Sequence, residues 1–180
     1  MGDYAKARKF AFVVLAESEM GPTKEFALDQ VELLDDYYLT AQNSDIEFLK
    51  KFDNDRLLSR FRETAGLDTK KIAPYGGWED GWLGGHSVGH YLTAIAQAVK
   101  ATGNADLKEK SKQLIKGLAE CQNKLGTGFI FGAKIETEGY VEKQFDILEG
   151  KTTGKTWVPW YNMHKMLTGL VDTYKYTSNK

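Results

Sequence analysis

Two stretches of this 180-residue chain repeat each other at an offset of 75 residues, and both have helical periodicity. Thr93-Ala-Ile-Ala-Gln-Ala-Val-Lys-Ala-Thr-Gly-Asn104 aligns without gaps to Thr168-Gly-Leu-Val-Asp-Thr-Tyr-Lys-Tyr-Thr-Ser-Asn179. Threonine, lysine, threonine and asparagine coincide, and Ile95 and Val99 align with Leu170 and Tyr174. In the same frame His164 falls one residue from His90. Self-similarity of this kind marks a repeat architecture, in which each unit buries its apolar face on a neighbour. After Asn104 the chain turns and continues into another helical segment, whereas after Asn179 only Lys180 follows. The pattern calls for a partner helix there, so the chain reads as a piece of a longer protein.

The helical segments sort into two kinds. Leu83–Thr102 gathers Val88, Tyr91, Leu92, Ile95 and Val99 on one side. Its other side carries His86, His90, Thr93, Ala94 and Gln97, with almost no charge before Lys100. Asp106–Leu125 differs: Lys108, Glu109, Lys112, Lys116 and Glu120 oppose Leu107, Leu114, Leu118 and Cys121, as on a solvated helix. The first reads as an inner helix with its neutral face on a cavity, the second as an outer one. Trp160–Thr177 resembles the inner kind, with Met163, Leu167, Leu170 and Tyr174 as its apolar stripe and Tyr161, His164 and Thr168 on one flank. Two further helices are predicted. One spans Lys24–Gln42 on the stripe Phe26, Leu28, Val31, Leu34 and Tyr38. The other is capped by Asp53 or Asp55, carries Leu57, Leu58, Phe61 and Ala65, and is stopped by Gly66. Pro159 sits where a helix starts. Thr127–Val158 is too long for an idle connection and reads as a functional loop with short strand segments such as Gly128-Phe129-Ile130-Phe131. The expected fold is all-α: an incomplete α/α toroid spanning residues 23–180, preceded by a lead-in at residues 1–22.

Composition excludes some partners. With 24 basic and 25 acidic residues and a net charge of −1, no basic field invites nucleic acid or anionic lipid. No apolar run reaches the roughly 18–20 residues of a membrane span. Phe10–Ala16 follows Lys6, Arg8 and Lys9 in the manner of a signal peptide. It is short, lacks a clear cleavage site and runs into Glu17 and Glu19, so an ordinary buried segment and a cytoplasmic location are favoured. Cys121 is the only cysteine, which rules out an internal disulfide and a zinc site built mainly from thiolates within this chain.

The densest chemistry lies in Gly77-Trp-Glu-Asp-Gly-Trp-Leu-Gly-Gly-His-Ser-Val-Gly-His-Tyr91. His86 and His90, four apart, share a helix face. They are placed to hydrogen-bond a polar ligand, to bind a metal, or to serve the backbone at the helix start. Trp78, Trp82, Trp157, Trp160 and Tyr161 flank the histidine-bearing helices. Aromatic faces beside neutral polar donors suit a sugar ring, and they equally fill cores. Glu79 is a candidate hydroxyl acceptor or a helix-start carboxylate. Glu79 and Asp80, being adjacent, make a poor acid/base couple for glycoside hydrolysis. The candidate substrate-binding residues are Trp78, Glu79, His86, His90, Trp160, Tyr161 and His164; no residue is assigned as catalytic and none as a metal ligand.

Five motifs follow one another in order: Asp55-Arg-Leu-Leu-Ser-Arg-Phe-Arg-Glu-Thr-Ala-Gly-Leu67, Tyr75-Gly-Gly-Trp-Glu79, Gly85-His-Ser-Val-Gly-His-Tyr-Leu92, Ala119-Glu-Cys-Gln122 and Trp157-Val-Pro-Trp-Tyr-Asn-Met-His-Lys165. With them the chain, from about Phe26 onward, resembles the start of the glycoside hydrolase family 127/146 group. These are the β-L-arabinofuranosidase-like proteins, formerly domain of unknown function 1680. The resemblance implies an (α/α)6 barrel followed by β-sandwich domains, and release of L-arabinofuranose with retention. It also implies a cysteine nucleophile beside a zinc ion held by further cysteines and a glutamate, with a second glutamate as acid/base. This sequence has no match for that cluster, and Cys121 belongs to a helix motif. What carries over is a sugar-facing wall of Trp78, Glu79, His86, His90 and His164, with Tyr161. The expectation is therefore the N-terminal part of a retaining glycosidase that binds carbohydrate, holds no cofactor of its own, and self-associates through uncovered half-toroid surface. A stand-alone helical carbohydrate-binding or interaction module, and a metal-dependent enzyme using His86 and His90, are the alternatives.

Overall fold

The computed structural model describes residues 25–133 and 140–178. The chain divides into two compact units, Met1–Val31 and Glu32–Lys180. Of the first, only residues 25–31 are described. They hold a single 3-10 turn, Leu28–Gln30, closed by Gln30 N donating to the Ala27 carbonyl at 2.8 Å. The lead-in over residues 1–22, with its signal-like segment, lies outside the described residues.

The second unit contains α1 (Asp36–Lys50), α2 (Asn54–Thr64), two 3-10 turns (Gly77–Glu79 and Gly81–Leu83), α3 (His86–Thr102), α4 (Ala105–Leu125), α5 (Lys143–Leu148) and α6 (Pro159–Thr177). The described residues are all-helical. Local chemistry fixes most boundaries. The Asp53 carboxylate caps α2 by accepting from Asp55 N at 2.8 Å, and Asn104 caps α4 by accepting from Leu107 N at 3.0 Å. Gly103, at φ +68°, ends α3 in the left-handed conformation that lets its N–H reach the Val99 carbonyl at 2.8 Å. Pro159 occupies the first turn of α6, where a missing N–H costs nothing.

The core lies between α2, α3 and α4. Leu57, Leu58 and Phe61 of α2 meet Leu107, Leu114, Leu118 and Cys121 of α4 and Val88, Leu92, Ile95 and Val99 of α3. Each such side chain contributes roughly 1.5–3 kcal/mol when fully buried. Ile46 of α1 joins this core, and Tyr91 ties α3 to α1 through its hydroxyl, which donates to the Leu49 carbonyl at 2.9 Å. Lys108, Glu109, Lys112, Lys116 and Glu120 are exposed, so α4 is an outward-facing helix as its charge pattern predicts.

Three expectations are corrected. The helix predicted over Lys24–Gln42 begins only at Asp36, because the Asp35 carboxylate accepts from Tyr37 N at 2.8 Å and caps it there. Residue 24 is outside the described set, and the remaining stripe residues Phe26, Leu28, Val31, Leu34 and Tyr38 are exposed, not core. Second, no strand occurs among the described residues of Thr127–Val158. Ile130 and Phe131, though adjacent, are both buried, Ile130 in the main core and Phe131 with Ala133, Val141 and Phe145 of α5, so no strand-like alternation is realised. Residues 134–139 of that loop lie outside the described set.

The third concerns α6. Its predicted apolar stripe is only partly its buried face: Met163 and Leu170 pack half-buried against the cores, whereas Leu167 and Tyr174 are 52% and 63% exposed. The buried residues are Pro159, Asn162, Met166, Gly169, Thr173 and Thr177. The reason is a close crossing with α3. A Cβ on Gly89 would stand 2.1 Å from the Lys165 carbonyl oxygen, and one on Gly169 would stand 2.4 Å from that of Gly89. The two backbones touch where neither residue has a side chain. Thr93 secures the pairing by donating to Asp172 Oδ2 at 2.8 Å. The neutral face of α3 is thus partly covered by α6 at Thr93, while His90 and Gln97 are exposed.

Candidate functional site

The approach to α3 is built from glycines and aromatics. Gly85 adopts φ +92°, a left-handed turn that a side chain resists, and starts the helix at His86. Glu79, on the preceding 3-10 turn, is buried and reaches into that helix start. Its Oε2 accepts from Gly85 N at 2.6 Å and its Oε1 from Ser87 N at 2.8 Å. These are N–H groups with no partner inside the helix, and the carboxylate also lies at the positive end of the helix dipole. His86 Nδ1 stands 2.9 Å from Glu79 Oε1 and 2.7 Å from the Leu83 carbonyl. Asp80 points elsewhere, pairing with Arg60 at 3.1 Å, as expected of two adjacent acids.

In front of His86 opens a cleft of about 430 Å³ lined by Trp78, Leu83, His86, Trp157, Val158 and Tyr161. Its walls come from the two 3-10 turns, the first turn of α3 and the start of α6. Asn162 joins these elements: its Nδ2 donates to the Trp82 carbonyl at 2.7 Å. Trp78 is 73% exposed, Trp157 55% and Tyr161 41%, so these side chains are not spent on the core. The His86 and Tyr161 rings lie 6.0 Å apart. The Lys165 ammonium sits 5.1 Å over the Tyr161 ring.

Of the predicted residues, Trp78, His86 and Tyr161 line the cleft directly. Glu79 stands behind His86 with both oxygens occupied. His90 lies beside His86, ring centroids 6.0 Å apart. Although His90 reaches solvent, partial desolvation, and then the Lys165 ammonium and the neighbouring His86 ring, hold it below the usual histidine range. Trp160 packs edge-on against Phe145 at 4.8 Å, outside the cleft walls. His164 is exposed on α6 and lines no part of the cleft. The structure adds Leu83, Trp157 and Val158 to the wall. Trp157 had a signal in sequence, as an aromatic just ahead of the Pro159 helix start; Leu83 and Val158 had none.

A second hollow, of about 480 Å³, lies between α2 and α4 and includes Asp53, Asp55, Arg62, Lys110 and Glu120 on its walls. Its central charges pair with each other: Arg62 meets Asp55 at 2.7 Å and, with Lys70, holds that carboxyl below the usual range against the opposing effect of burial. Among the described residues no three His, Cys, Asp or Glu side chains gather into a group able to hold a metal ion. Cys121 is buried in the core, and burial pushes its thiol up. The thiolate-held zinc of the resembled family finds no fit in these residues.

The cleft therefore offers stacking faces beside an imidazole, and no pair of free carboxylates. No curated protein matches the chain. Residues 30–180 match the family model described as Beta-L-arabinofuranosidase, GH127 catalytic domain, and the chain belongs to that family.

Proposed function

We propose that these residues form the sugar-binding wall of a retaining glycoside hydrolase acting on L-arabinofuranosides or related glycans, and that they do not contain its nucleophile. The observation that carries this reading is the cleft, where three exposed aromatic rings surround one imidazole. A furanose presents C–H faces to such rings and hydroxyls to the imidazole. The chain's one cysteine is buried on α4 with its thiol pushed up, and Glu79 is committed to the start of α3. A retaining mechanism needs a nucleophile and an acid/base group across one bond. His90 and His164 extend the wall along α3 and α6, and Trp160 flanks it.

Calorimetric titration of the purified chain with methyl β-L-arabinofuranoside should show binding, and an arabinofuranoside assay should show no turnover. Trp78→Ala and Tyr161→Ala should each weaken binding by roughly fivefold, about one aromatic contact. Their melting temperatures should hold, since both rings are exposed. Absence of binding, or hydrolysis well above the blank, would sink the reading.

We also infer an incomplete α/α toroid, supported by the α3–α6 crossing and the charged outer face of α4. An experimental structure in which α3 and α6 are not neighbours in an inner ring would refute it. Leu167, Val171 and Tyr174 form an exposed apolar ridge at i, i+4 and i+7 on α6. The ridge supports self-association, so light scattering should give a mass above 20.2 kDa that Val171→Lys returns to the monomer. A monomeric wild-type chain at every concentration would contradict this.

A further inference from the structure

The Nδ1 atom of His86 faces two groups that only accept hydrogen bonds, the Leu83 carbonyl at 2.7 Å and Glu79 Oε1 at 2.9 Å. That arrangement is satisfied only when Nδ1 carries the proton. Nε2 of the neutral ring then holds a lone pair, and it is the nitrogen left to the cleft that His86 lines. Glu79 is held in place to impose this, since Gly85 N and Ser87 N donate to its two oxygens and its side chain is 8% exposed. We propose that Glu79 is a positioning residue that keeps His86 protonated at Nδ1, so that Nε2 accepts a hydrogen bond from a ligand hydroxyl. The cleft then selects, at that point, a group that donates. A hydroxyl fits, and its methyl ether, which only accepts, meets a lone pair. This assignment rests on the sugar-binding reading above and specifies the polarity of one of its contacts.

The substitution that separates roles is Glu79→Gln. The amide supplies one acceptor where two backbone N–H groups need two, and its NH2 group is a donor beside Nδ1. That donor favours the ring with Nδ1 unprotonated, against the pull of the Leu83 carbonyl. Long-range 1H–15N correlation spectra distinguish the two tautomers directly. In the free wild-type chain, at a pH where His86 is neutral, Nδ1–H is expected; in Glu79→Gln, a mixture with Nε2–H. The binding probes are methyl β-L-arabinofuranoside and its mono-O-methyl ethers. At least one ether should bind wild type roughly tenfold more weakly than the parent, the order expected when a buried acceptor loses its donor. That discrimination should shrink in Glu79→Gln. A wild-type His86 protonated at Nε2, or equal affinity for the parent and every ether, overturns the proposal. So does a Glu79→Gln chain that melts lower but keeps both the tautomer and the discrimination. If the parent glycoside does not bind at all, the sugar-binding reading fails, while the wild-type tautomer still decides the assignment of Glu79.

Discussion

Gly89→Val is expected to unfold the chain or to detach α6 from it. Glycine within a helix ordinarily costs about 1 kcal/mol relative to alanine, so a side chain here would stabilise an isolated α3. The crossing reverses the sign. A Cβ at position 89 would stand 2.1 Å from the Lys165 carbonyl oxygen, 2.3 Å from its carbon and 2.8 Å from Met166 N. All three are backbone atoms, which cannot rotate aside as a side chain would. The helices would have to separate, and the contacts of Met166, Gly169 and Thr173 would open with them. Overpacking a well-filled core costs about 1–3 kcal/mol when side chains can yield, and more than about 3 kcal/mol is expected here. That is a large share of the roughly 5–15 kcal/mol that holds a typical domain. Gly89→Ala should show the same effect in weaker form, and Gly169→Ala should match it, since its Cβ would stand 2.4 Å from the Gly89 carbonyl oxygen. Urea denaturation followed by circular dichroism measures this. Gln97→Ala, on an exposed position of the same helix, should be neutral or slightly stabilising. A Gly89→Val chain with the wild-type midpoint would show that α3 and α6 do not cross there.

That crossing also shows why half of α6 was illegible in sequence. Hydrophobic periodicity finds a face that is buried because it is apolar, and it located α3 through Val88, Leu92, Ile95 and Val99 and α4 through Leu107, Leu114 and Leu118. The buried face of α6 is Asn162, Met166, Gly169, Thr173 and Thr177, buried because small residues let backbones approach. Its hydroxyls return to its own carbonyls, Thr173 to Gly169 at 2.8 Å and Thr177 to Thr173 at 2.7 Å. Meanwhile Leu167, Val171 and Tyr174, which dominate any apolar count, face outward. The start of α1 failed for a related reason: an apolar stripe predicts a helix only if something covers it, and the cap at Asp35 wins over Phe26, Val31 and Leu34. The ends of α2 and α6 were readable at Asp53 and Pro159, because these residues act on neighbours within four residues. In the site, Trp78, His86 and Tyr161 could be nominated from their motifs. Glu79 takes the second of its two readings, the helix-start carboxylate, through Gly85 and Ser87 six and eight residues on. The approach of Trp157 across some 70–80 residues of chain depends on tertiary packing that spacing does not encode.

Phe61→Ala should lower stability and sugar affinity together. The Phe61 ring is 1% exposed, and two glycines rest on it: a Cβ at Gly85 would stand 2.8 Å from its Cζ, and one at Gly132 2.9 Å from its Cε2. Removing a buried phenyl ring costs about 3–5 kcal/mol, because the space left behind collapses only in part. The functional consequence follows from what Gly85 does. Its left-handed backbone starts α3, and its N–H holds Glu79 Oε2 at 2.6 Å, which in turn stands behind His86. Without the ring beneath it, Gly85 can sink into the vacated volume, and the imidazole loses its fixed position at the cleft. Phe61→Leu, which refills most of that volume, should cost less on both counts. Leu114→Ala is the control, since Leu114 is fully buried on α4 and lines no part of the cleft. It should lose about 2–5 kcal/mol of stability while the folded fraction binds sugar normally. Calorimetric affinities corrected for the folded fraction separate the cases. Equal loss of affinity in Phe61→Ala and Leu114→Ala would mean that the cleft depends on general stability, and that Phe61 has no particular part in placing Gly85.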